Sequence, residues 1–141
     1  MLEPEQESLK TIFIVDDDPM YLWSLENFLR KNTDHRYFCC GTGEDCLKHI
    51  GICPEIVILD YFLNSNVKKA KNGLEILKAI KENSPATEVI LLSNQEDYSI
   101  VYKTIISGAS TYLIKDKNVF LNVLKKMDEI LQDNQIINNA K

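Results

Sequence analysis

The chain has 141 residues, a length that fits one compact domain and leaves little room for a second, DNA-reading domain. Its 16 lysines and arginines against 21 aspartates and glutamates give a formal net charge of −5, which argues against nucleic acid or an anionic membrane as the main partner. No apolar run approaches the roughly 20 residues that span a bilayer, and the acidic N-terminus does not resemble a signal peptide, so we expect a cytoplasmic protein.

Short apolar runs and helix-like segments alternate along the chain. The runs have the length and β-branched content of strands and lie at 11–15, 37–40, 56–59, 89–92 and 111–114. Segments with apolar residues three or four positions apart predict helices at 20–31, 44–50, 74–81, 99–107 and 119–131. This alternation predicts an α/β fold, with a parallel sheet covered by helices on both faces. We expect the folded domain at 9–131, a polar tail at 1–8, and a second tail or the start of a linker at 132–141.

The cysteines do not form a metal or redox motif. None is in C-x-x-C spacing, and the two histidines do not complete a zinc-site spacing. We interpret the cysteines as small apolar core residues in a reducing cytosol, with a redox module as the weaker alternative. They are Cys39, Cys40, Cys46 and Cys53.

Ionisable and hydroxyl side chains follow four of the predicted strands at the point where each strand ends. They are Asp16, Asp17 and Asp18 after the first strand, Asp60 after the third, Ser93 after the fourth and Lys115 after the fifth. Ligands of open parallel sheets bind beyond the carboxyl ends of the strands, so these side chains are expected to converge. Several carboxylates at short range need a cation, and Mg²⁺ suits a site of a few carboxylates and water.

Such a pocket is suited to accept a phosphoryl group. A carboxylate beside Mg²⁺ can attack phosphorus and form an aspartyl phosphate. The three equatorial oxygens of the phosphoryl group need positive charge or donors, which Mg²⁺, Lys115 and the hydroxyl of Ser93 would supply. Taken singly, each residue is more simply a helix cap, a turn residue or a solvated lysine. Their occurrence together, at the ends of four strands, favours the phosphoryl-accepting pocket.

Four stretches of the chain resemble the receiver domains of two-component response regulators, over about residues 9–131. They are IFIVDDDP at 12–19, IVILD at 56–60, VILLS at 89–93 and GASTYLIK at 108–115. The resemblance implies a flavodoxin-like (βα)5 three-layer sandwich with strand order 2-1-3-4-5. It also implies that Asp60 accepts a phosphoryl group from a sensor histidine kinase or a phosphotransfer protein.

The resemblance further implies a metal site and a signalling role. Asp17 and Asp60 would bind Mg²⁺, with Mn²⁺ as the alternative ion, together with Asp16, directly or through water, and the backbone carbonyl of Phe62. The domain would assist its own Mg²⁺-dependent phosphorylation and dephosphorylation without being a conventional enzyme. It would switch protein–protein interactions with an output protein or domain, and it would bind neither nucleic acid nor membrane directly.

The switch in such a domain would be carried by Ser93 and Tyr112. Ser93 and Lys115 would contact the phosphoryl group, and Tyr112 would be the aromatic side chain that changes rotamer on activation. The chain departs from the family pattern after Lys115, because Asp116 stands where a proline in a cis bond is usual. The lysine's role does not depend on that proline.

The connection at 61–72 is long for a link between a strand and a helix, and it carries Lys68, Lys69 and Lys71. These lysines either screen the acidic pocket, meet an acidic partner, or belong to a solvated loop with no special task. Phe62 at the start of this connection is bulky and apolar, and we expect it to influence the lifetime of the phosphoryl group.

Apolar residues on the fourth predicted helix form two stripes. The first is predicted to face the core and consists of Ile100, Val101, Thr104 and Ile105. The second consists of Tyr98, Tyr102 and Ile106. We interpret the second stripe either as a docking surface, for a partner or for a second copy in a homodimer through the face of helix four, strand five and helix five, or as residues partly buried against helix five.

Two other functions remain as alternatives. A haloacid-dehalogenase-type phosphohydrolase also carries Asp-x-Asp after its first strand, here Asp16 and Asp18, with Asp16 as the nucleophile. The chain is short for that fold, and Pro19-Met20 departs from its usual sequence. A degenerate receiver would bind partners without being phosphorylated, and the intact set of pocket residues argues against it.

Overall fold

The computed structural model describes residues 9–63 and 72–139. Its strands are β1 (Thr11–Val15), β2 (Arg36–Cys40), β3 (Ile56–Asp60), β4 (Glu88–Ser93) and β5 (Thr111–Ile114). Its helices are α1 (Pro19–Asn32), α2 (Gly43–His49), α3 (Gly73–Asn83), α4 (Tyr98–Ile106) and α5 (Val119–Asn139), and a 3-10 turn (Ile50–Ile52) follows α2. All strand pairs are parallel, and the strands lie in the order β2-β1-β3-β4-β5. The predicted α/β class and strand order are confirmed.

The sheet separates two apolar clusters, and successive residues of its central strands contribute to opposite ones. In β1, Phe13 and Val15 belong to one cluster, and Ile12 and Ile14 belong to the other. Side chains of α2 and α3 complete the first cluster, and those of α1 and α5 complete the second. Because β1, β3 and β4 are covered on both faces, their sequences are nearly all apolar rather than alternating.

Two helix predictions are wrong in detail. The helix α5 continues to Asn139, although the sequence pattern ends at 131. The segment that follows is polar, but it holds no glycine or proline that would stop a helix. In α4, Ile105 is 45% exposed, and Thr104 is the buried residue. Six of the nine residues of α4 are apolar or aromatic, so spacing alone does not identify the residue that faces the core.

The cysteines divide between the core and the surface. Cys40 and Cys46 are buried, as predicted, and Cys39 is half-buried. Cys53 is exposed, so its assignment to the core is wrong. It lies at the end of the 3-10 turn with a φ of 58°, where the chain reverses before Pro54.

None of the helices described has the length and apolar character to cross a membrane. The predicted lysine-rich loop with Lys68, Lys69 and Lys71 lies outside the described residues.

Candidate functional site

The predicted site residues lie at the carboxyl ends of the strands: Asp60 and Ser93 are the last residues of β3 and β4, whereas Asp16 and Lys115 directly follow β1 and β5. Backbone hydrogen bonds continue the sheet to the latter two. The N–H of Asp16 donates to Cys40 at 3.1 Å, and the N–H of Lys115 donates to Ser93 at 2.8 Å. Asp60 closes β3 and pairs in register with Leu92 of β4. The sheet therefore holds these side chains at one edge from rigid, buried strands.

Lys115 joins two carboxylates that come from different strands. Its Nζ lies 3.1 Å from Oδ2 of Asp16 and 3.3 Å from Oδ1 of Asp60. The side chains are almost fully buried, with 10% of Lys115, 4% of Asp16 and 7% of Asp60 exposed. Ion pairs shielded from water in this way are screened much less by salt than surface pairs.

Three carboxylates lie close enough together to share one cation. Oxygens of Asp16, Asp17 and Asp60 lie within 4.8 Å of one another, and Asp17 is the most exposed of the three. Carboxylate oxygens in small number are the donors that Mg²⁺ takes from proteins, with water filling its remaining positions. The donor set therefore fits the predicted ion.

Burial raises the pKa values of Asp60 and Asp16. Burial, reinforced by the charge of Asp16, raises the pKa of Asp60 to about 6, against the opposing effects of Lys115 and of the N–H of Phe62. The pKa of Asp16 is also raised, mainly by burial, although the N–H of Asp18 and the ammonium of Lys115 favour its charged form. One lysine does not neutralise the cluster, so a cation at this site would be stabilised.

Asp18 does not belong to the cluster. Its Oδ1 accepts hydrogen bonds from the N–H groups of Met20 at 3.0 Å and Tyr21 at 3.3 Å, which makes it the N-cap of α1. Its own N–H donates to Oδ1 of Asp16 at 2.9 Å. The second aspartate of the Asp-x-Asp pattern, on which the phosphohydrolase alternative rests, is thus accounted for as a helix cap.

Phe62 lies beside the site, and its N–H donates to Oδ1 of Asp60 at 3.3 Å. Its ring packs edge-on against Tyr61, with the centroids 4.9 Å apart. The assignment of its carbonyl as a metal ligand stays a prediction.

Ser93 and Tyr112 meet at the backbone of Gln95. Ser93 is fully buried, and its Oγ accepts a hydrogen bond from the N–H of Gln95 at 3.1 Å. The hydroxyl of Tyr112 donates to the carbonyl of the same residue at 2.7 Å. Burial raises the pKa of Tyr112. The connection between β4 and α4 therefore links the two residues that were predicted to act in a switch.

Tyr21 is a site residue that the sequence reasoning missed. Nζ of Lys115 lies 4.1 Å from the centroid of the Tyr21 ring, within the range of a cation–π contact. A sequence signal was available, because Tyr21 follows Asp17 by four residues and so lies in the first turns of α1, next to the acidic pair.

Comparisons with known proteins agree with this geometry. The family model described as "Response regulator receiver domain" matches residues 12–132. The transcriptional regulatory protein MalR of Bacillus subtilis is 29% identical over 112 residues, which cover 74% of this chain and 43% of MalR. The transcriptional regulatory protein DegU of Brevibacillus brevis is 26% identical over 118 residues, which cover 82% of this chain and 48% of DegU. The chain thus spans about half the length of these curated relatives.

Solved structures show the same fold. The BeF3-activated receiver domain of DrrB, a response regulator from Thermotoga maritima, has a TM-score of 0.76 and 31% identity, and the match covers 88% of this chain and 98% of that one. The signal receiver domain of a Luxo repressor protein from Vibrio parahaemolyticus has a TM-score of 0.82 at 20% identity, and the match covers 94% of this chain and 98% of that one.

Proposed function

This chain belongs to the response regulator receiver domain family, and we propose that it accepts a phosphoryl group on Asp60 and then changes the proteins that it binds. The donor is a sensor histidine kinase or a phosphotransfer protein. The observation that carries the proposal is the placement of the Lys115 ammonium 3.3 Å from Asp60 and 3.1 Å from Asp16, with the Asp17 carboxylate beside them. We propose a cytoplasmic location, with neither nucleic acid nor membrane bound directly by this domain.

The transfer step uses the carboxylate of Asp60 as the nucleophile. One carboxylate oxygen forms the new bond to phosphorus, the bond from phosphorus to the donor breaks, and the donor leaves with the electron pair. Lys115 and the hydroxyl of Ser93 bind the phosphoryl oxygens. Asp16, Asp17, Asp60 and the carbonyl of Phe62 would hold Mg²⁺ or Mn²⁺. When bound, that ion supplies positive charge that offsets the carboxylates and the phosphoryl oxygens.

The signal leaves the pocket through the connection between β4 and α4. Ser93 and Tyr112 both bond to the backbone of Gln95, so a phosphoryl group that recruits Ser93 pulls on the segment that holds the Tyr112 hydroxyl. Such a pull is useful only if it biases two existing states of the loop and of Tyr112. The change of the Tyr112 rotamer is the proposed second state.

The surface whose binding partners would change in response is the exposed apolar side of α4. Its four large apolar residues are exposed: Tyr98 by 81%, Tyr102 by 68%, Ile105 by 45% and Ile106 by 63%. These exposed fractions do not support the alternative that Tyr98, Tyr102 and Ile106 are partly buried against α5. We propose that this side, with β5 and α5, docks an output protein or domain, or a second copy of the chain in a homodimer. Sedimentation with and without beryllofluoride and Mg²⁺ distinguishes self-association from partner binding.

The primary test is phosphorylation of the purified protein by a small phosphodonor, such as acetyl phosphate, with Mg²⁺. We expect a labile, phosphate-sized mass gain that is absent in Asp60→Asn and in the presence of a chelator. A gain that survives Asp60→Asn but disappears in Asp16→Asn would instead support the phosphohydrolase. If no adduct forms, a beryllofluoride titration decides: binding indicates rapid dephosphorylation, and its absence indicates a receiver that binds partners without phosphorylation.

A further inference from the structure

We propose that Tyr21 is a positioning residue for Lys115, whose ammonium its ring holds between Asp16 and Asp60. The contact itself is a property of the unphosphorylated protein. Its consequence, faster capture of the phosphoryl group by Asp60, rests on the proposed function.

The geometry around Lys115 shows why a positioning residue is needed. The ammonium has carboxylate oxygens at 3.1 Å and 3.3 Å and the centroid of the Tyr21 ring at 4.1 Å. A lysine ammonium is a point charge at the end of a flexible side chain, so contacts with two carboxylates alone allow the ammonium to occupy several positions. The electron-rich ring face is a third attractive neighbour, and it limits the ammonium to the position between the two acids.

Tyr21 is itself held firmly from two directions. Its ring packs edge-on against Phe120, with the centroids 5.6 Å apart and the planes at 75°, and Phe120 in turn contacts Phe28 at 5.5 Å. Its N–H donates to the side chain of Asp18, the residue that follows the acidic pair. The ring is therefore packed against α5, and the Tyr21 backbone is bonded to the residue next to the acidic pair.

The hydroxyl of Tyr21 makes no hydrogen bond that would require a tyrosine at this position. It is buried without a hydrogen-bond partner among residues 9–63 and 72–139. Burial, with the nearby charges of Asp16 and Asp60, raises the pKa of this hydroxyl, which keeps it neutral beside the acids. We therefore assign the positioning role to the ring, and phenylalanine is expected to replace it.

The test compares three variants. Tyr21→Phe keeps the ring, and Tyr21→Leu removes it. Phe28→Leu removes a ring of the same aromatic cluster that is joined to Tyr21 only through Phe120. The first readout is the NMR shift of the Lys115 ε-methylene protons in the unphosphorylated protein. We expect a ring-current shift that remains in Tyr21→Phe and Phe28→Leu and is lost in Tyr21→Leu.

The second readout is the initial rate of Asp60 phosphorylation by acetyl phosphate at fixed Mg²⁺. We expect Tyr21→Leu to be slowed about 5- to 30-fold, the range that corresponds to a largely desolvated cation–π contact, with the other two variants within about twofold of the parent. Equal slowing in Phe28→Leu would overturn the inference, because lost packing would then explain the effect. Equal slowing in Tyr21→Phe would overturn it in favour of the hydroxyl. If the parent forms no adduct and does not bind beryllofluoride, the proposed function fails, and the NMR shift alone decides whether Tyr21 positions Lys115.

Discussion

The ammonium of Lys115 lies 3.1 Å from the carboxylate of Asp16, a residue 99 positions earlier in the chain. This contact connects the carboxyl ends of β5 and β1, and Asp60 at the end of β3, which lies between these strands in the sheet, also pairs with Lys115. One positive charge faces several acids, so the pocket has excess negative charge before any cation or phosphoryl group arrives. The ion pair therefore orders the site without neutralising it.

Removing the charge of Asp60 is expected to stabilise the metal-free protein. Its pKa of about 6 in the folded state lies above the ordinary value, so the folded chain binds this proton more tightly than the unfolded chain. The contribution of Asp60 to stability is therefore present at low pH and falls as the pH rises from about 4 to about 6. At pH 7 we expect Asp60→Asn to be more stable by about 1–3 kcal/mol.

Urea unfolding in the presence of a chelator measures this effect at several pH values. Asp34→Asn is the matched control, because Asp34 is exposed and lies outside the site. We expect the advantage of Asp60→Asn to be small at pH 4 and to reach its full size by pH 7. An advantage that does not change with pH would show that the ionisation of Asp60 is not its source.

Mg²⁺ is expected to stabilise the folded protein through Asp17. A ligand that binds only the folded state at a hundredfold excess over its Kd adds about 2.7 kcal/mol to the free energy of unfolding. Asp17→Asn removes one oxygen charge from the cluster without breaking the Lys115 ion pairs. We therefore expect it to weaken the Mg²⁺-dependent rise in the melting temperature by a large fraction.

The same substitution at the next residue is the control for this prediction. Asp18 caps α1, and asparagine caps helices about as well as aspartate. Asp18→Asn should keep both the stability of the protein and its response to Mg²⁺. Equal losses in Asp17→Asn and Asp18→Asn would contradict the assignment of the metal site and would revive a role for Asp18 in chemistry.

The convergence of the charged site residues at the ends of the strands can be predicted from the sequence, whereas the side chains that pack against them cannot. Asp60 and Lys115 each follow a short apolar run, and the parallel sheet places all such strand ends at one edge. The contact of Tyr21 with Lys115 depends instead on the rotation of α1 against the sheet, which no local pattern determines. The same limit explains the exposure of Ile105, since six of the nine residues of α4 are apolar or aromatic and packing decides how the helix is rotated.

Gly73 is expected to be required for the position of Asp60. Its N–H donates to the carbonyl of Tyr61 at 3.0 Å, and an added Cβ would lie 2.5 Å from that oxygen and 2.6 Å from the Cα of Tyr61. Backbone does not give way as a side chain does, so Gly73→Ala displaces the residue next to Asp60. We expect a loss of stability of about 1–3 kcal/mol together with weaker Mg²⁺ stabilisation and slower phosphorylation.

Gly43→Ala is the control for Gly73→Ala, because it crowds the core without touching the residues next to Asp60. Its Cβ would lie 2.4 Å from the side chain of Ile76, in the core between α2 and α3. We expect a loss of stability of the same order, with the response to Mg²⁺ and the phosphorylation rate relative to the folded fraction retained. If both alanine variants weaken Mg²⁺ binding equally, the Tyr61 contact has no special part in holding Asp60.

The thiols are expected to differ in reactivity by position rather than to act as a redox pair. Cys53 is exposed, whereas burial and the neighbouring Glu26 raise the pKa of the half-buried Cys39 to about 12. Iodoacetamide at pH 8 should therefore label one thiol of the native protein first, that of Cys53, with Cys39 at least about 100-fold slower because so little of it is thiolate. Peptide mass spectrometry identifies the site, and all four cysteines should react in urea.

The variant Glu26→Gln tests the cause of the difference. It removes one of the groups that raise the Cys39 pKa and should increase the labelling of Cys39, with Cys53 unchanged as the internal reference. Labelling of Cys39 as fast as Cys53 in the folded parent would contradict this assignment and would reopen the redox alternative.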